Sequence, residues 1–133
     1  MVARLNLLTG VAALALVLAV PALARADVTV RHRAQLEATD EEPQATGRAL
    51  DYETFGYPFT AWLAVRVRDV STTDTVAVLL NGEFLTTIEL TDGSGEVRLT
   101  GRLGTDVPLI RTGDTVDIVD ADDGTVLLEG VFD

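Results

Sequence analysis

His32 is the only histidine in the chain, and histidine is the side chain best suited to general-base work near neutral pH. It falls between Val30 and Ala34, on the apolar face of an alternating run, where an imidazole is expected to pack rather than react. A Ser-His-Asp triad would have to draw on Ser71 or Ser94, the only two serines. Both fall in turn-forming stretches, and neither sits in the Gly-x-Ser-x-Gly elbow that exposes a nucleophile. One histidine and no cysteine are a poor ligand supply for a zinc-type site. Paired carboxylates can hydrolyse glycosides, but with 21 acidic residues in 133 chance pairs are expected everywhere. No enzymatic role and no cofactor is expected from these residues.

Asp120, Asp122, Asp123 and Gly124 are the residues with the outline of a calcium loop. Calcium needs several oxygen ligands on a tightly turning backbone, with glycine sixth and a closing glutamate twelfth in the EF-hand pattern. Counted from Asp120, glycine stands fifth and Val131 stands twelfth. A hairpin turn accounts for Asp-Asp-Gly without a metal, so Asp120, Asp122 and Asp123 are weak metal candidates. Asp40-Glu41-Glu42 reads as a solvated loop.

The aromatic residues are less evenly spread. Five of seven fall between Tyr52 and Trp62: Tyr52, Phe55, Tyr57, Phe59 and Trp62. Strand alternation puts Trp62 on the same face as Arg66 and Arg68, opposite the aliphatic face. Exposed aromatics beside arginines suit contact with a sugar ring or a protein. Phe55, Tyr57, Trp62, Arg66 and Arg68 are therefore the candidate ligand-binding residues. The alternative is an aromatic plug at one end of the fold, with Trp62 covered by an arginine in a cation–π contact.

These residues are carried by short alternating segments, with no helical periodicity after Ala26. Strands are predicted over Val28–Glu37, Thr46–Glu53, Phe59–Arg68, Thr75–Leu80, Phe84–Leu90, Glu96–Thr100, Thr115–Val119 and Thr125–Phe132. Asn81-Gly82 between two apolar strands is the strongest hairpin signal, since both residues accept the positive φ of a type I′ turn. The runs Asp74–Leu80 and Thr125–Phe132 are apolar on both faces. They must be central in a sheet, or covered by a second copy of the chain as a homodimer. Asp74-Thr75-Val76-Ala77-Val78 is echoed by Asp114-Thr115-Val116-Asp117-Ile118, which predicts two related hairpins. The pattern predicts an all-β fold, an Ig-like antiparallel sandwich of seven to eight strands.

Ahead of these strands, Arg4 opens an apolar run, Leu5 to Val20, that Pro21 ends. Ala24-Arg25-Ala26 then matches a signal-peptidase site. Residues 1–26 are predicted to be a cleavable signal peptide helix, and residues 27–133 a single exported domain, periplasmic or extracellular. Cleavage would remove Arg4 and Arg25 and no acid, so the mature part is more acidic than the whole chain at −11. Such a field disfavours nucleic acid and anionic membranes and favours cations or basic partners. With no cysteine, packing alone must hold the domain.

Leu36-Glu37-Ala38, Glu42-Pro43, Ala45, Gly47 and Ala49 together resemble the opening of CHRD domains, β modules of exported proteins. Asn81-Gly82, Gly113-Asp114-Thr115-Val116 and Gly124-Thr125-Val126-Leu127 with Gly130-Val131-Phe132 resemble a group of small exported bacterial β proteins. Both resemblances imply a β fold and export. Neither supplies site residues. The expected function is a non-catalytic binding or structural module with a protein or glycan partner. The alternative is an acidic cation-binding domain of the cell-envelope surface.

Overall fold

The computed structural model describes residues 28–133, which form eight antiparallel strands. These are β1 (Val28–Ala38), β2 (Thr46–Phe55), β3 (Thr60–Arg68), β4 (Thr75–Leu80), β5 (Glu83–Glu89), β6 (Gly95–Arg102), β7 (Thr115–Asp120) and β8 (Val126–Val131). Every strand read from alternation is present, with ends that differ by no more than two residues. The proposed signal segment lies outside the described residues. Among the described residues, no helix is long and apolar enough to cross a membrane.

The expectation of a sandwich is met only in its all-β, antiparallel part. The strands form one continuous sheet in the order β5-β4-β7-β8-β1-β2-β3-β6. The two ends of that order come together: a Cβ on Gly95 of β6 would lie 2.7 Å from the backbone oxygen of Glu89 at the end of β5. The arrangement is therefore barrel-like. The strand that joins its halves is β1, whose Val28–Leu36 portion pairs with β2 while Glu37 and Ala38 pair with β8. That second register continues along the chain. Thr39 N–H donates to Leu127 O at one end (3.0 Å) and Asp133 N–H to Arg33 O at the other (3.0 Å). Between them Gly130 lets β8 run close against β1, where an added Cβ would stand 2.6 Å from Gln35 O.

Alternation explains the core. Ala34 and Leu36 of β1, Leu63, Val65 and Val67 of β3, Val76 and Val78 of β4, and Val116 and Ile118 of β7 point inward, with Leu127, Leu128 and Phe132, into one buried cluster. β4 lies between β5 and β7, and β8 between β7 and β1. Their two-faced apolar runs are thus those of interior strands, as expected.

The internal echo is geometrically real. β4 and β7 are antiparallel neighbours with Val78 directly opposite Ile118, its own counterpart in the repeat. Asn81 N–H donates to Thr115 O (2.9 Å), and the equivalent Ala121 N–H donates to Thr75 O (3.2 Å). Both hairpins also carry a bulge at the same place, Val78/Leu79 and Ile118/Val119. A local two-fold axis thus passes through the Val78–Ile118 pair. The β4–β5 turn is the one predicted: Asn81 and Gly82 take φ of 51° and 81°, the left-handed values a type I′ turn requires.

Candidate functional site

Strand β2 positions two sites, one on each face. Its inward positions are Ala49, Asp51 and Glu53, and its outward ones are Arg48, Leu50 and Tyr52. This inverts the usual preference, because two carboxylates enter the barrel while Leu50 and Tyr52 face out. Burying a carboxylate is costly unless it is paired or neutralised.

Inside, Asp51 lies directly across the ladder from His32. His32 Nδ1 and Asp51 Oδ2 are 2.9 Å apart and share a hydrogen bond. Glu53, two residues on, accepts the Ile110 N–H at Oε2 (2.8 Å). That contact ties the β6–β7 connection onto the end of the barrel. Asp51 and Glu53 are 2 % and 1 % exposed, and the second oxygen of each, Oδ1 and Oε1, has no hydrogen-bond partner. One ligand atom from each of His32, Asp51 and Glu53 can be chosen so that all three lie within 4.8 Å of one another. Burial, and after it the hydrogen bond and negative charge of Glu53, push the Asp51 carboxyl up to about 9. At neutral pH Asp51 therefore holds a proton, which can lie between the two carboxylates.

Sequence reasoning placed His32 on the inner face and missed its partners. The available signal was the spacing of Asp51 and Glu53: two acids at strand period on one face of β2, against Leu50 and Tyr52 on the other.

On the outer face the register places Arg31, Tyr52 and Trp62 side by side across β1, β2 and β3. The Tyr52 and Trp62 rings stack with centroids 5.6 Å apart and planes within 2°. Arg31 lies over the free face of Tyr52 (5.2 Å), and Arg98 of β6 lies over Trp62 (4.4 Å). The result is a four-layer stack whose ring edges, not faces, meet solvent. Trp62 thus has the arginine cover that was the alternative to an open aromatic platform. A cleft of about 510 Å³ runs beside the stack, bounded by Arg31, Arg33, Tyr52 and Trp62 and reaching His32 and Asp51.

The five candidate ligand-binding residues do not form one patch. Trp62 belongs to the stack. Phe55 packs edge-on against Phe59 (6.4 Å), and with Tyr57, which is 97 % exposed, it borders a separate hollow near Leu103. Arg66 and Arg68 border a third hollow together with Arg48. Arg66 also pairs with Glu96 (3.0 Å), an exposed contact of small energetic weight.

The remaining candidates are engaged in turns. Asp120 Oδ1 accepts Asp122 N–H (2.8 Å), and Asp123 Oδ1 accepts Thr125 N–H (2.9 Å), while Gly124 takes a φ of 78°. The Asp120–Gly124 segment is thus a hairpin connection stabilised by its own carboxylates. Ser71 donates from both its N–H (2.8 Å) and its hydroxyl (3.0 Å) to the buried Glu42. Burial works against ionisation of Glu42, but the donors of Ser71 and Thr72 outweigh it and hold the carboxyl below its usual range.

Charge is strongly sorted over the surface. Of the eight arginines beyond residue 27, all but Arg111 lie on β1, β2, β3 and β6, each at an outward position. The outward acids of those four strands are Glu37 and Glu96. β4, β5, β7 and β8 carry no basic residue, and they carry Glu83, Glu89, Asp117, Asp120 and Glu129. Asp117 faces Glu129 across the ladder, and Glu129 in turn faces Glu37. Burial, and then the Glu129 charge, raise the Asp117 carboxyl.

No protein-family model, curated protein or solved structure matches the chain.

Proposed function

We propose that this chain is an exported, non-catalytic β module that works by contact, through the arginine-rich outer face of β1, β2, β3 and β6. The observation that carries this reading is the sorting of charge: seven outward arginines on one half of a chain whose net charge is −11. At physiological ionic strength charges more than about 8 Å apart are largely screened. A ligand on this face therefore meets the local arginines more than the distant acids. Arg31 and Arg98 are held against aromatic rings, which lowers the entropy lost when they bind an anion. The leader-like segment supports export.

The ligand that fits is a polyanionic glycan, an extended chain bearing carboxylates at intervals. Guanidinium groups recognise carboxylates through paired hydrogen bonds. Arginines two residues apart on a strand and one strand over repeat at roughly 5–7 Å, which suits an extended chain of charges. The covered faces of Tyr52 and Trp62 disfavour a neutral sugar that needs an open ring to stack on.

Alginate, a uronic-acid polymer, is the probe, with a neutral glucan as comparison. Alginate is expected to bind and to weaken steeply with salt. Arg48→Ala, Arg66→Ala, Arg68→Ala in one chain should weaken binding about tenfold, at roughly 0.5 kcal/mol for each exposed charge contact. Equal affinity for the neutral glucan, or an unchanged affinity in the triple variant, would sink the proposal.

A further inference from the structure

We infer that His32, Asp51 and Glu53 form a binding site for one divalent ion of the first transition row, with zinc as the expected occupant. The inference is independent of the outer face and its ligand. Three observations carry it. The two carboxylates are almost wholly buried, at 2 % and 1 % exposure, where an acid must either keep a proton or have its charge compensated. Each keeps one oxygen, Asp51 Oδ1 and Glu53 Oε1, that no donor of another residue reaches, so that only a shared proton or an ion can join them. The chain's single imidazole completes the group, with one ligand atom from each residue inside 4.8 Å.

The donor set selects the ion. One nitrogen and two carboxylate oxygens suit zinc, manganese or cobalt, whereas calcium and magnesium are held by oxygen alone. Zinc bonds of about 2.0–2.2 Å in a tetrahedron place ligand atoms about 3.3–3.6 Å apart. The triad's ligand atoms already lie within 4.8 Å of one another, and a bound ion would draw them to that spacing. Support around the ligands is already present. The Ile110 N–H fixes Glu53 through Oε2, leaving Oε1 for the ion, and second contacts of this kind orient metal-binding carboxylates. Three protein ligands leave the fourth position for water.

The test is a titration of the purified full chain, first dialysed against a chelator, with zinc chloride. Calorimetry reads the stoichiometry, and the nitrogen-15 spectrum reads the imidazole, whose signals are unambiguous because His32 is the only histidine. One ion per chain is expected, with the free-ring signals of His32 replaced by shifted ones. Cobalt chloride should add visible absorption bands. Glu53→Gln should weaken zinc binding by more than about tenfold, a loss that even removal of an outer contact can cause. Asp122→Asn, Asp123→Asn should leave it unchanged. No binding would overturn the inference and leave a shared proton as what joins Asp51 to Glu53. Binding that leaves the His32 ring signals in place would also overturn it, by assigning the ion to the acidic surface. If Glu53→Gln does not fold, the ring titration of the unaltered chain decides alone.

Discussion

The proton on Asp51 makes a strong prediction about stability. In the unfolded chain this carboxyl has an ordinary pKa near 3.8, and in the barrel it is raised to about 9. Between those values the folded chain holds a proton that the unfolded chain has lost. A raised folded-state pKa contributes its stability fully below the unfolded value and loses it as pH climbs toward the folded one. Metal-free protein should therefore become less stable from pH 5 to pH 8. One proton is worth about 1.4 kcal/mol per pH unit. Three units give a ceiling of about 4 kcal/mol, a large share of the roughly 5–15 kcal/mol that holds a domain together. With a urea m-value of about 2 kcal/mol per molar, the unfolding midpoint should fall by up to about 2 M. The assay is urea unfolding at pH 5, 6, 7 and 8 with a chelator present, for the unaltered chain and for Asp51→Asn. The asparagine cannot ionise, and its amide N–H can donate to Glu53 Oε1. Its profile should be shallower than that of the unaltered chain, and it should be the more stable protein at pH 8. Asp117 shifts in the same direction in both chains, so it cancels in the comparison. A midpoint that rises with pH in the unaltered chain, or the same slope in both chains, would refute the reasoning.

Other outcomes follow from the same contacts. Glu42→Gln should flatten the acid limb of the stability profile. The lowered Glu42 pKa contributes stability above about 4.5 that is lost as pH falls through the folded value, and urea midpoints between pH 3 and 5 measure it. Gly130→Ala should cost about 2–3 kcal/mol by urea unfolding, because its Cβ would stand 2.6 Å from Gln35 O and 2.8 Å from Leu36 Cδ2. Asn81→Ala should cost about 1–2 kcal/mol. It loses both a residue tolerant of φ 51° and the acceptor of the Thr115 N–H at 2.9 Å. Arg98→Ala should uncover one face of Trp62, so iodide should quench its fluorescence more strongly than in the unaltered chain. Equal quenching would mean that the arginine does not cover the ring in solution.

Much of the secondary structure was legible because strand alternation is local. Phe59 to Arg68 declares its two faces residue by residue, and Asn81-Gly82 declares its turn through the φ values those residues tolerate. The repeat of Asp74–Val78 in Asp114–Ile118 was visible too, though not that its copies would lie side by side with Val78 against Ile118. β2 was harder to read. Its residues Leu50 and Tyr52 point out, Tyr52 packing between Arg31 and Trp62, and its acids point in. Local polarity alone argues for the opposite orientation. The five candidate binding residues were close in sequence, yet strand ends and loops carried them to three separate hollows.

The sequence by itself determined that this chain makes β strands, where they turn and which residues of most strands face inward, because each depends on neighbours one to three positions away. Only the tertiary structure decided that the eight strands curl into one nearly closed sheet. That depends on β1 exchanging β2 for β8, a pairing between distant segments that no local pattern encodes. It also decided that His32 meets Asp51 across 19 intervening steps of chain, and that β6 brings Arg98 over Trp62. Register sets both meetings, and register is chosen by the whole barrel burying its core at once.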